Sequence, residues 1–212
     1  MSAFDGRRAM KNVFLLDLDT QKDFVLPGGA LPVPGAARLL PKLRRLFDFA
    51  RKTGVTVLSA VHAHAPGDPE FAHFPPHCLA GTDGRRKLED TELRRFLVFE
   101  NRPVDRNLVE VVRRYQQIVI ERQDWDLFSN PVAERLLRVL PAHAIVFGVP
   151  AEHSVKLAAV GLQQRGVKTA VLSDVVLPLE GGSAGRAEQE MRRAGVEFLT
   201  LEMLFDIYTA RE

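Results

Sequence analysis

The chain has a single cysteine among 212 residues, Cys78. That excludes an internal disulfide framework and implies a reducing, cytoplasmic setting. Long apolar runs are missing: none approaches the ~20 residues that a membrane span requires. Met1 to Asn12 carries charges but no apolar h-region, so no signal peptide is expected there. An excess of one charge is missing too, since 29 basic and 27 acidic residues leave a net charge of +2. So weak a field argues against nucleic acid or a membrane surface as partner. Arg44-Arg45, Arg85-Arg86-Lys87 and Arg192-Arg193 are scattered among acids and read as solvated faces. There is no internal repeat and no low-complexity tract. No G-x-G-x-x-G follows the first strand, which disfavours a dinucleotide fold. What is present is 46% hydrophobic and 26% charged residues, the balance of a globular protein. The length suits one domain over 1–212, with 1–11 as a poorly ordered lead-in.

Short apolar runs alternate with helical periodicity. Strands are expected at Val13 to Leu16, Val55 to Leu58, Gln117 to Ile120, Ala144 to Val149, Lys168 to Leu172 and Val196 to Leu199. Helices are expected over Ala36 to Thr53, Leu88 to Leu97, Leu108 to Tyr115, from Pro131, from Glu152 to Gly166, Ala184 to Ala194 and Glu202 to Ala210. Gly54 reads as a helix C-terminal glycine, and Asn130 or Ser129 as a cap before Pro131. Strands rich in Val, Ile and Leu, separated by helices, argue for a parallel sheet covered on both faces. Such sheets bind ligands at the carboxyl ends of their strands. The residues found there are Asp19, His62 and His64, Arg122 and Ser154. The stretch His62 to Arg86 is long, irregular and rich in Pro, Gly and His, as functional loops are.

The run from Val146 to Val155 turns sharply from strand to helix at Gly148 and Pro150. It places Ser154 near a first helical turn, whose backbone N–H groups lack intrahelical partners. Ser154 is either a capping or packing hydroxyl or a nucleophile with oxyanion donors nearby. Its neighbour His153 cannot share its face of a helix, so it is expected to look toward solvent or a partner. His73 and His143 read as surface residues.

Four stretches together resemble the isochorismatase-like cysteine hydrolases, the family that includes nicotinamidases. They are Asp19-Thr20-Gln21-Lys22-Asp23-Phe24 with Pro27-Gly28-Gly29, the loop Pro75-Pro76-His77-Cys78 to Gly84, the run Ile120 to Pro131, and the turn Gly148 to Ser154. The resemblance implies a three-layer α/β/α, Rossmann-like fold with a mainly parallel six-stranded sheet. It also implies a cis peptide before Pro150. The family's chemistry uses an Asp, a Lys and a Cys. Asp19 matches the first, while Arg122 stands at the Lys position and Ser154 at the Cys position. A thiol of pKa ~8.5 is readily made a thiolate, whereas a hydroxyl needs a well-placed base. Asp19 is a poor base unless burial raises its pKa, and Arg122 is expected to hold it ionised. Phe24, Trp125, Val149 and Pro150 would line the substrate pocket.

By the same resemblance His64 and His77 match metal ligands, and His62 replaces an Asp. No cofactor is required by the Asp–Arg–Ser reading. Three neutral imidazoles with an open position would suit zinc or another divalent ion; the plainer reading is loop histidines with no ion. The expected function is hydrolysis of a small molecule, at an amide C–N bond, with weak or changed activity. Its rival is an inactive relic that binds a small ligand or a protein through the same pocket. A third reading is metal-assisted hydrolysis at the histidines. Assembly as a homo-oligomer through helices flanking the sheet is also expected.

Overall fold

The computed structural model describes residues 12–209, so the lead-in assigned to 1–11 lies outside the described residues. In chain order the elements are β1 Val13–Leu18, α1 Lys22–Val25, α2 Leu40–Thr53, β2 Thr56–His62, β3 Phe96–Phe99, α3 Leu108–Arg114, β4 Gln117–Arg122, α4 Ala133–Leu137, β5 His143–Gly148, α5 Lys156–Gln164, β6 Lys168–Val176, α6 Ala184–Arg193, β7 Glu197–Leu199 and α7 Leu201–Thr209. The strands form one parallel sheet in the order β3-β4-β2-β1-β5-β6-β7.

Alternation along each strand divides the core in two. Leu15, Val57, Ile145 and Phe147 face α2 and α7. Phe14, Leu16, Leu58, Ile118 and Val146 face α3, α4, α5 and α6. This is the three-layer α/β/α arrangement. In α2 the buried positions Leu43, Leu46, Phe47 and Ala50 recur at three-and-four spacing. Each of the larger three contributes about 2 kcal/mol on burial. Gly54, at φ +72, ends the helix by donating its N–H to the Ala50 carbonyl. No described helix is long and apolar enough to cross a membrane.

The sheet has seven strands rather than six. The additional one is β3, at the end of a stretch read from sequence as the helix Leu88 to Leu97. Only Glu89–Thr91 makes a single helical turn there. The Leu93 N–H is taken by the Gln117 side chain, and Phe96–Phe99 then pairs with β4. All four residues of β3 are apolar, so the period of two that marks a half-buried strand is hidden.

The chain builds outward from β1 through β2 and then adds β5 on the other side of β1. The ends of β1 and β5 therefore border a topological switch point, the place where such sheets bind ligands.

Candidate active site

Three residues far apart in the chain meet at that switch point. Asp19 follows β1 with φ +52, a left-handed conformation that Asp tolerates better than most residues. The Asp19 N–H is fixed by the Ala60 carbonyl at 3.0 Å. Gly148 ends β5 at φ +121, and a Cβ there would lie 2.0 Å from the Leu18 carbonyl oxygen. Only glycine permits that approach. The Val149–Pro150 peptide is cis. One π-helical turn, Ala151–Val155, then leads into α5 and carries Ser154.

Ser154 Oγ lies 2.5 Å from Asp19 Oδ2. Arg122, the last residue of β4, donates from Nη2 to Asp19 Oδ2 at 2.6 Å and to Ser154 Oγ at 2.8 Å. All three side chains are fully buried. Burial raises the Asp19 pKa, and the Arg122 charge and the Ser154 hydroxyl offset this only in part. Burial is thus the condition under which the sequence allowed Asp19 to be a better base than an ordinary carboxylate: desolvation outweighs the guanidinium in setting the direction of its shift. Asp19 Oδ1 and Arg122 Nε have no hydrogen-bond partner among the described residues, so polar capacity is left beside the Ser154 hydroxyl.

The histidines form a chain of contacts beside this group. Arg122 Nη1 lies 2.6 Å from His62 Nε2. A guanidinium has no acceptor, so His62 Nε2 must accept and the ring proton sits on Nδ1. That nitrogen lies 2.8 Å from His64 Nε2, and His64 Nδ1 faces Asp68 Oδ2 at 3.0 Å. Burial, then Arg122, keep the His62 pKa well below the usual histidine value. His62 is thus a neutral link between Arg122 and His64.

His62, His64, Glu70 and His77 bring ligand atoms within 4.8 Å of one another. Glu70 was not among the residues singled out from sequence. It lies 3.8 Å from both His64 Nε2 and His77 Nε2. Glu70 Oε1 and His77 Nε2 are buried without a partner. His77 Nδ1 is engaged by the Pro75 carbonyl at 2.8 Å, which leaves the Nε2 lone pair free. Two imidazoles, each oriented through its other nitrogen, and a carboxylate fit a divalent ion with an open position once His64 Nε2 exchanges the N–H of His62 for the ion. His62 joins that set only by giving up its contact with Arg122. Burial pushes the Glu70 carboxyl up to about 7, against the pull of Arg122.

Three side chains just after β1 hold the long loop in place. Gln21 grips the His62 backbone at both N–H and C=O, each at 2.8 Å. Asp23 accepts from the Cys78 N–H at 2.7 Å, and Cys78 itself has φ +46. Thr20 joins Lys87 at 2.8 Å, and the Lys87 ammonium also lies 2.5 Å from buried Asp17. Cys78 is buried, and burial pushes its thiol pKa far up, away from the thiolate form.

Rings pack around the histidines. Trp125 stacks on His77 at 6.1 Å and 19°, and sits 4.5 Å from His62. Phe24, Phe74 and His153 surround Trp125 at 5.9, 5.3 and 4.9 Å. His153 therefore faces Trp125 rather than open solvent. Val149 packs in the core layer of α2, and Pro150 is buried at the turn. Glu121 pairs with Arg85. His73 is exposed and His143 half-buried.

Against known proteins, the sequence profile of the isochorismatase domain matches residues 13–203. The chain is 26% identical over 197 residues to a nicotinamidase/pyrazinamidase of Mycobacterium tuberculosis, covering 87% of this chain and 97% of the relative. An isochorismatase family protein from Desulfovibrio vulgaris superposes with a TM-score of 0.73 at 25% identity, covering 95% of this chain and all of that one. A pyrazinamidase of Pyrococcus horikoshii in complex with zinc gives a TM-score of 0.71 at 21% identity, covering 89% of this chain and 99% of that one.

Proposed function

The chain belongs to the isochorismatase domain family, a family of hydrolases, and on that premise we propose that it cleaves the C–N bond of a small planar amide with Ser154 as nucleophile. The observation that carries this reading is the Ser154 hydroxyl, 2.5 Å from Asp19 Oδ2 and 2.8 Å from Arg122 Nη2. Asp19 takes the hydroxyl proton, and its raised pKa makes it a better base than an ordinary carboxylate. Oγ then forms a bond to the amide carbon. The C–N bond breaks, and the leaving nitrogen takes the proton back from Asp19. Water, deprotonated by Asp19, then attacks the seryl ester; the C–Oγ bond breaks, Ser154 Oγ takes that proton back from Asp19, and the acid is freed. Arg122 keeps its charge throughout and supports negative charge on Oγ. The rings of Phe24, Trp125 and Phe74 suit a flat substrate, in keeping with the nicotinamidase/pyrazinamidase relative.

The test is ammonia release from nicotinamide, pyrazinamide and related heteroaromatic amides. Slow turnover is expected for the wild type, none above background for Ser154→Ala and faster turnover for Ser154→Cys, whose thiol ionises more readily. Equal rates for wild type and Ser154→Ala would sink the reading.

His64, His77 and Glu70 are the residues that would hold a divalent ion. Such an ion supplies Lewis-acid polarisation of a carbonyl or of bound water. Zinc in the Pyrococcus structure supports this assignment. Elemental analysis of protein purified without an affinity tag is expected to find about one ion per chain. Ligation requires Glu70 unprotonated, so affinity should fall as pH drops below about 7. Asp68→Asn should weaken binding about 10–100-fold through loss of the support behind His64. Unaltered affinity across pH and in Glu70→Gln would remove Glu70 from the set.

A further inference from the structure

We propose that β3 is the surface through which two copies of this chain pair, edge to edge and antiparallel. β3 ends the sheet, and β4 is its one strand neighbour among the described residues. Its outer edge therefore presents backbone N–H and C=O groups to whatever lies alongside. Natural edges are commonly blunted by lysine, proline or a bulge; Phe96-Leu97-Val98-Phe99 contains neither residue, and its pairing with β4 runs in unbroken register.

The two faces of the strand differ. Leu97 and Phe99 pack with the core under α3. Phe96 and Val98 stand on the opposite face, 43% and 41% exposed. They border a groove of about 360 Å³ over Val61, Val119 and Gln117, which no helix lines. Elsewhere α2 and α7 cover this side of the sheet.

Charge selects a second copy as the occupant. Arg94 precedes the strand, exposed and with no ion pair among the described residues, and Glu100 follows it. Among the described residues the Glu100 carboxylate is engaged by exposed Arg102 alone, at 2.9 Å, a contact that is readily exchanged. Residues directly opposite in an antiparallel pair project to the same face. A two-fold axis at Leu97 then sets Phe96 against Val98 of the other copy, and Arg94 against Glu100. Moving the axis to Phe96 would oppose Glu92 to Glu100. Moving it to Val98 would oppose Arg94 to Arg102. One register alone matches apolar to apolar and plus to minus, and by symmetry it does so twice. This places the contact at the sheet edge, not on the flanking helices that the family resemblance suggested.

Sedimentation velocity and light scattering across the micromolar range test it. The wild type is expected to reach twice its chain mass of 23.7 kDa. Glu100→Arg sets like charges opposite on both sides of the axis and should raise the dimer Kd about tenfold, more at low salt. Adding Arg94→Glu should restore the wild-type Kd. Val98→Lys should leave a monomer with an unchanged far-UV spectrum, since that position is exposed. A monomer at every concentration overturns the proposal and leaves the edge to a strand of some other protein. So does a dimer whose Kd ignores Glu100→Arg and Val98→Lys.

Discussion

Arg122→Met is expected to lower the stability of the fold by about 3–5 kcal/mol, the usual cost of removing one partner from a buried ion pair. The guanidinium is fully buried and touches Asp19, Ser154, His62 and the Asp124 carbonyl. Methionine fills much of the volume and supplies none of those donors. A chain of this size melts about 2–4 °C lower per kcal/mol lost, so the midpoint should fall by roughly 10 °C. The effect should depend on pH, with a definite sign. Asp19 already sits above its ordinary value of 3.8 in the intact protein, and loss of the guanidinium raises it further. A carboxyl with a raised folded-state pKa makes the folded chain bind the extra proton. Stability of the variant therefore improves as pH falls toward 3.8 and is lost as pH rises through the folded value. The gap to wild type should widen from acid to neutral pH in urea melts. Asp19→Asn combined with Arg122→Met should recover much of the loss, because no charge is then left unpaired. A single-variant loss under about 1 kcal/mol at neutral pH would mean that the pair contributes no more than a surface bridge.

The second large effect is kinetic. Asp19→Asn keeps an oxygen to accept from Ser154 or Arg122 but cannot take a proton. Its kcat should fall about 10²–10⁴-fold, the range that general-base catalysis covers, with KM little changed. Wild-type activity should rise with pH along an acid limb shifted up from the ordinary Asp value of 3.8, since burial raises the Asp19 pKa. Residual activity in Asp19→Asn should lack that limb. Because the variant also leaves Arg122 without its counter-ion, a melt on the same preparation separates a lost base from a weakened fold. A wild-type acid limb retained in Asp19→Asn would assign the titration to another group.

Much of the fold was legible because its signals are local. Leu43, Leu46, Phe47 and Ala50 announce α2 by spacing alone, and Gly54 marks its end. Val146 to Val149, broken by Gly148 and Pro150, announces a strand and a sharp turn. β3 was not legible, because a strand apolar on both faces shows no period and its pairing partner lies elsewhere in the chain. Glu70 was not legible either. It sits six residues beyond His64 in a stretch with no helical or strand period, and only the turn at Asp68 and Pro69 brings it back to the histidines.

The sequence by itself determined the alternation of parallel strands and helices, and with it that Asp19, Arg122 and Ser154 all stand at carboxyl ends of strands. Periodicity and chain direction suffice for that, since every parallel strand delivers its following residue to the same rim. Tertiary structure alone decided what those residues become there. Ser154 and Asp19 are 135 positions apart, and a carboxyl's proton affinity, an imidazole's tautomer or a carboxylate's nearness to two histidines depends on desolvation and on neighbours brought close through space.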